Sequence, residues 1–587
     1  MKVKSWALVA FALALTSSPL AVQQQSGTAR IEGRILDALT GNPISDAGVT
    51  LAVYVTPDDR PLPGFQAIFP AARDPITTSP DGTFRIDGVR AGDYRVVAMA
   101  RGYVRQEYMQ KLTYGSGRPI RLSDGQSLQG IDIRLVRTGS LSGRVVDDSG
   151  KPAVDAPVNL LHPRPSDQGL VLDRILNTKV NDRGEYLFTG VSPGRYYVSV
   201  GSTPGFTRPQ LLYARGPNQA PIIDYGLSFF PGTPLLAQAA QIEIRPTEEA
   251  SASMSVMRQR PYRIRGKIIV NGDPPPMVQV SLLPDPPVIS LGDIIIDNRG
   301  VRPDAKTGEF EVQSVLPGSY TLRAQVAPTP QRGAGPVVQR GAGPVVQEGP
   351  SQAQSAPMAG QTSIRVVDRD IEGVFVTLTP SATISGRVTV EGESLDLSKM
   401  NINLWLVPLH PNLPLPDPQR LALAADGSFN IRSIRSGEYR LQLRRLDASL
   451  YTKSISLGST DLLEKPLIVA GASSETLQIV LRRGAARVTG VVRDDRLQPV
   501  PGIKVTIVRS DRGKAEDKDR LVVSDSTGRF VIAGIPPGEY RIYAWEDLED
   551  GAYFDPEFLK RYEVEGKSLM VAESSQNTVE LKPLAIK

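Results

Sequence analysis

The sequence predicts an all-β protein assembled from five tandem β-sandwiches behind an N-terminal leader, and three observations predict it. The stretch Asp81-Gly82-Thr83-Phe84-Arg85-Ile86-Asp87-Gly88-Val89-Arg90-Ala91-Gly92-Asp93-Tyr94-Arg95-Val96 recurs in degenerate form four more times. Each copy follows a short alternating run with a central glycine, such as Ile31-Glu32-Gly33-Arg34-Ile35. Those central glycines, Gly33, Gly143, Gly266, Gly386 and Gly490, stand about 100 to 120 residues apart, the period of a whole domain and not of a solenoid coil or propeller blade.

The signature has four anchors with constant spacing: Gly82/Phe84/Gly92/Tyr94, Gly184/Tyr186/Gly194/Tyr196, Gly308/Phe310/Gly318/Tyr320, Gly427/Phe429/Gly437/Tyr439 and Gly528/Phe530/Gly538/Tyr540. Phe84, Ile86 and Gly88 alternate with Arg85 and Asp87, the period of a half-buried strand. The first glycine suits a turn position needing positive φ. Pro-Gly at 193–194, 317–318 and 537–538 closes a second turn. A second alternating strand then opens at the tyrosine, as in Tyr94-Arg95-Val96-Val97-Ala98. Each copy therefore reads as a two-stranded hairpin, too small to be stable alone.

Further strands surround it. The openers are Ile31–Ile35, Leu141–Val145, Ile264–Ile268, Ile384–Val388 and Val488–Val492. After three of them comes a turn and a strand with valine six residues beyond a proline, from Pro43 to Val49, Pro152 to Val158 and Pro499 to Val505. Alternating runs also close the modules, as at Ile131–Leu135, Val374–Leu378, Leu477–Leu481 and Val579–Leu581.

The first residues read as a secretory signal peptide over 1–21: a basic Met1–Lys4, then an apolar run from Ala7 to Leu15 too short to span a bilayer, with Ala21 as the cleavage point. No cysteine is present, which excludes disulfides, thiol nucleophiles and a lipidation cysteine. Glycine (53) and proline (49) are enriched, yet 40% of residues are hydrophobic, so the chain is turn-rich and globular. The formal charge of +5 is dispersed, with no basic run interleaved with aromatics, which excludes a nucleic-acid footprint. Expected boundaries are 22–137 for module one, 138–259 for two, 260–380 for three, 381–484 for four and 485–587 for five. Module three carries a flexible loop at 327–361, within which Arg332–Gln339 is copied unchanged at Arg340–Gln347.

The openers with Gly33 and Arg34, the Pro-to-Val strand at Pro43–Val49, and the signature with Gly82, Phe84, Gly92 and Tyr94, together with their equivalents, resemble the carboxypeptidase regulatory-like domain. That resemblance implies five tandem Ig-like or prealbumin-like β-sandwich domains over nearly the whole mature chain. In module three Lys267 replaces the arginine and Pro274-Pro275-Pro276 interrupts a strand. The tail from Trp545 to Phe558 resembles the end of exported multi-module proteins of Gram-negative bacteria, which implies the periplasm, cell surface or extracellular space. Such domains are accessory modules, and fold alone does not give function.

No catalytic constellation is visible. His162 and His410 both neighbour prolines, and no metal-binding histidine spacing or Gly-x-Ser-x-Gly elbow occurs. Three candidates for chemistry remain. Six carboxylates crowd 545–557, among them Asp547, Glu549, Asp550 and Asp555, and could hold Ca²⁺; otherwise they form a solvated segment packed by Trp545, Tyr553 and Phe558. Tyr103, Tyr108 and Tyr114, and likewise Tyr225, Phe229, Phe230, Trp545 and Tyr553, could stack on sugar rings or else staple their own loops. Lys267 could form an intramolecular isopeptide bond, though no asparagine partner stands in a closing strand. The sequence thus reads as an exported, non-catalytic binding protein of the cell envelope, with no required cofactor, whose partner is a polysaccharide met through loops at the sandwich ends. The alternatives are a structural spacer for envelope proteins and an accessory module of a hydrolase system.

Overall fold

The computed structural model describes residues 28–586 except 54–74, 167–168, 202–223, 271–277, 285–300, 327–357, 394–395, 401, 410–418, 435–436, 445, 470–474, 511–519 and 526. The leader, His410 and most of the expected 327–361 loop lie outside the described residues, while Met358–Gln361 belong to a strand, Met358–Val366.

The architecture is all β, with one α-helix, Pro556–Lys560, among the described residues. Module one shows the plan. Its opener strand Ala29–Asp37 pairs antiparallel with the first signature strand, Thr83–Val89, and parallel with the closing strand, Ile133–Leu135. The Pro43 residue bridges back to Leu36, and the strand it introduces, Gly48–Val53, pairs with the second signature strand, Gly92–Met99. The two signature strands therefore lie in opposite sheets and are not the hairpin that their short connection predicts. Alternation specifies a strand with one buried face; it does not specify the partner.

This arch explains the anchors. In four signatures the tyrosine hydroxyl donates across the turn to the carbonyl four residues earlier: Tyr94 to Arg90, Tyr196 to Ser192, Tyr320 to Leu316 and Tyr540 to Pro536. The first glycine sits at φ +74 in Gly82 and +73 in Gly308, the left-handed region that favours glycine. The opener glycines serve a different need, close approach. A Cβ on Gly266 would overlap the Val374 carbonyl oxygen and lie 2.6 Å from the ring of Phe310, its own signature aromatic.

Modules two, four and five repeat the pairing. Openers pair antiparallel with first signature strands at Gly143↔Tyr186, Gly386↔Phe429 and Gly490↔Phe530, and parallel with closing strands at Val145↔Met254, Val388↔Ile479 and Gly490↔Val579. Module three keeps both pairings, but Met358–Val366 joins the two layers into a single six-stranded sheet. Among the described residues the main buried clusters each stay within one stretch: Ala29–Leu135, Leu141–Val256, Ile264–Leu378, Ala382–Leu481 and Ala486–Leu581. Each draws its apolar side chains from both layers, and a fully buried Phe or Leu contributes about 1.5–3 kcal/mol.

Candidate functional site

The residues with unusual chemistry converge where modules one, two and five meet. The module-one contribution is the excursion between Gly92–Met99 and the returning strand Ile120–Leu122. This excursion is braced from within. Tyr108 N–H donates to the Val96 carbonyl, Arg118 N–H to the Tyr108 carbonyl, and the Gln110 amide to the carbonyls of Leu112 and Thr113. Glu107 is held at 2.5 Å by Arg95 and accepts the Gly117 N–H at 2.9 Å.

The braced loop presents backbone donors to module five. Asp547, 4% exposed, accepts the N–H groups of Lys111 at 2.9 Å and Leu112 at 2.7 Å on Oδ2, and that of Ser116 at 3.3 Å on Oδ1. Its own neighbour Leu548 donates to Oδ1 at 2.8 Å. Charge-assisted bonds of this kind compensate a buried carboxylate for lost water. Beside it Lys111 Nζ meets Glu546 at 2.6 Å. The surfaces touch closely: a Cβ on Gly115 would overlap the Asp547 carboxylate, and one on Gly502 of module five would sit 3.0 Å from the Arg118 side chain. Burial pulls the Arg118 guanidinium below its usual range, against the nearby charges of Glu546 and Asp547.

The same loop anchors in module two. The Tyr114 ring lies over His162 with centroids 3.8 Å apart, and its hydroxyl is 2.7 Å from that of Tyr196, whose own proton goes to the Ser192 carbonyl. Burial in this stack lowers the His162 pKa to about 4, with Asp173 opposing and Arg164 reinforcing the shift. Module five reaches module two as well, since Gly551 packs so closely on the Pro165 carbonyl that a Cβ would overlap it. Between these contacts Glu549 is raised above the ordinary carboxyl range, first by burial and then by the Asp547 charge.

This geometry reassigns several residues singled out in the sequence. The carboxylates proposed for Ca²⁺ are not gathered: Asp547 is occupied by backbone donors, Asp550 lies 3.4 Å from Lys504 Nζ, and Asp555 caps the helix through the Glu557 N–H. Among the described residues no group of three or more metal-ligating side chains is placed to hold an ion. Trp545, expected to stack on a ligand, is fully buried; it stacks on Tyr543 at 5.2 Å and donates Nε1–H to Thr506. Phe229 is likewise fully buried, among Leu161, Leu172 and Leu227. Tyr225 and Phe230 are half-buried against the module-two core, and Tyr553 is half-buried beside the Trp545 cluster. Lys267 stands in register with Glu309 and Phe375. Sequence reasoning missed Lys111, Gly115, Ser116, Gly502 and Gly551 as contact residues. One signal was available for Asp547, a carboxylate set between the apolar Trp545 and Leu548.

The family model of the carboxypeptidase regulatory-like domain matches residues 30–136 and 487–548, so the resemblance carried by the signature holds for modules one and five, the two that supply most of the junction. Among solved structures the chain is similar to the minor pilin GBS52 of Streptococcus agalactiae (15% identity, 39% of this chain and 96% of that one, TM-score 0.23). It is also similar to two B repeat units of the collagen-binding protein of Staphylococcus aureus (11% identity, 70% and 93%, TM-score 0.14). A further similarity is to BcpA, the major pilin subunit of Bacillus cereus (10% identity, 76% and 99%, TM-score 0.14). No curated protein matches the chain. The fold assignment rests on the sheets and buried clusters described above. Among the described residues no helix is long and apolar enough to cross a membrane.

Proposed function

We propose that this chain is an exported, non-catalytic scaffold of the cell envelope. In this reading five sandwich domains, divided at 137/138, 259/260, 380/381 and 484/485, are held in a closed arrangement by contact of the first with the last. The observation that carries it is the buried Asp547 carboxylate, bonded to backbone donors up to 436 residues earlier in the chain. The basic and apolar leader supports export. Loops at the sandwich ends that the junction leaves exposed are where an envelope protein would be met. Small-angle scattering on residues 22–587 tests the closure. Asp547→Ala is expected to enlarge the radius of gyration with an unchanged circular dichroism spectrum; identical scattering from variant and parent refutes the reading.

Carbohydrate recognition is the second reading, and one feature favours it. A groove of about 560 Å³ lies between the strand Gly538–Trp545 and the helix Pro556–Lys560, lined by Arg509, Glu539, Arg541, Glu563 and Ser568 with Tyr543 at its base. Charged and hydroxyl groups of this kind suit a polyhydroxylated ligand. A glycan array probed with the parent and with Arg541→Ala decides it, since binding that survives the substitution places any lectin activity elsewhere.

A further inference from the structure

We propose that the junction is exchangeable between molecules, so that module five of one copy occupies the module-one and module-two face of another and copies join head to tail. This rests on the closed-scaffold reading. The two faces are different surfaces of one chain, an accepting carboxylate at Asp547 and a cradle of backbone N–H donors at Lys111–Ser116. A contact between different surfaces is heterologous, and between copies it propagates into open chains or closes into rings.

Three features make the faces separable and specific. The cradle is braced by its own module, through Arg118 N–H to Tyr108 O and the Gln110 amide, so it keeps its shape without module five. The carboxylate is braced in the same way, since Asp547 stands two residues beyond the buried Trp545 and accepts the Leu548 N–H. Both faces are also shaped for close approach, with Gly115 against the carboxylate and Gly502 against Arg118. Such a preformed pair binds the same whether its halves share a chain or not. In a monomer the linked halves see each other at an effective concentration of about millimolar, which favours closure in dilute solution. Crowded copies at a surface approach that concentration, and exchange then competes.

The test uses two broken halves of the full mature chain. Asp547→Ala keeps the cradle and loses the accepting carboxylate; Gly115→Val keeps the carboxylate and blocks the cradle. By sedimentation at about 0.1–1 mM, near the effective concentration of the linked halves, each variant alone is expected to be an expanded monomer. An equimolar mixture is expected to form a 1:1 dimer through the one intact pairing. If Gly115→Val disturbs module one, Leu112→Pro, which removes an N–H that Asp547 accepts, replaces it as the cradle-defective partner. A mixture that stays monomeric while both variants are expanded overturns exchange and leaves the closed scaffold standing. Variants that keep the parent's dimensions refute the closed scaffold and this proposal with it.

Discussion

The segment that follows the second signature strand has opposite fates in modules one and three. In module three it returns as Met358–Val366, pairs with the signature strand from Gly318↔Val366 to Gln325↔Ala359, and ties the two layers together. In module one it pairs only through the short strands Gln106–Glu107 and Ile120–Leu122, and between them residues 111–116 reach modules two and five. A residue can complete its own sheet or reach a neighbour, but the geometry of one position does not allow both. The opener, both signature strands, the strand paired with the second of them and the closing strand are common to both modules, and the excursion beyond the second signature strand diverges.

That division can be broken experimentally. The largest effect belongs to the shared frame: Gly33→Val and Gly266→Val should each cost about 3 kcal/mol or more, because a Cβ meets the carbonyl of Ile131 or Val374 and the sheet must part. Hydrogen exchange read by mass spectrometry should show similar losses in the two modules; a large disparity means the frame is not common. Next comes Asp547→Ala, expected to weaken the junction by about 2–3 kcal/mol through unpaired buried donors. Protection should fall at 108–119 and stay unchanged at 358–366, and a uniform loss would contradict the comparison.

Acid should also separate the modules. The His162 imidazole has an ordinary pKa of 6.5 and a folded value of about 4, so the unfolded chain binds the extra proton. Stability from this group is complete above about 6.5 and lost as pH falls towards 4, reaching about 2 kcal/mol at pH 5. Glu549, raised in the folded state, works the other way and gains as pH falls. Melting curves from pH 7 to pH 5 should therefore show a net loss around modules one and two that His162→Gln abolishes or reverses, with module three unaffected; a parent slope that survives in His162→Gln would assign the loss elsewhere. Smaller still, Tyr94→Phe and Tyr320→Phe should each cost about 1 kcal/mol for the lost arch bond, in denaturant titrations, with no difference between the modules. Lys111→Ala removes only an exposed ion pair and should weaken closure by about 0.5 kcal/mol, read as a slight rise in junction exchange.

Much of the frame is legible because each anchor answers a local need. Gly82 needs its φ, Tyr94 needs the Arg90 carbonyl, and Gly33 must leave room for a neighbouring strand. The hairpin expectation failed because the two-residue connection, as at 90–91, fits an arch between sheets as well as a turn within one. The junction was hardly legible at all. Asp547 reads as one acid among six, and what distinguishes it is a set of backbone donors at 111–116 whose side chains do not announce them. Trp545 misled for a related reason: an aromatic beside carboxylates looks like a binding face until the strand order turns it inward to Thr506.

The parallel pairing of opener and closing strands has a mechanical consequence. In every module the strand by which the chain enters lies beside the strand by which it leaves, pointing the same way, as in Gly490↔Val579 or Val388↔Ile479. Tension between the ends therefore slides these strands along each other. All hydrogen bonds between them share the load at once instead of opening one at a time from an end, so the array resists pulling in the direction in which it is threaded.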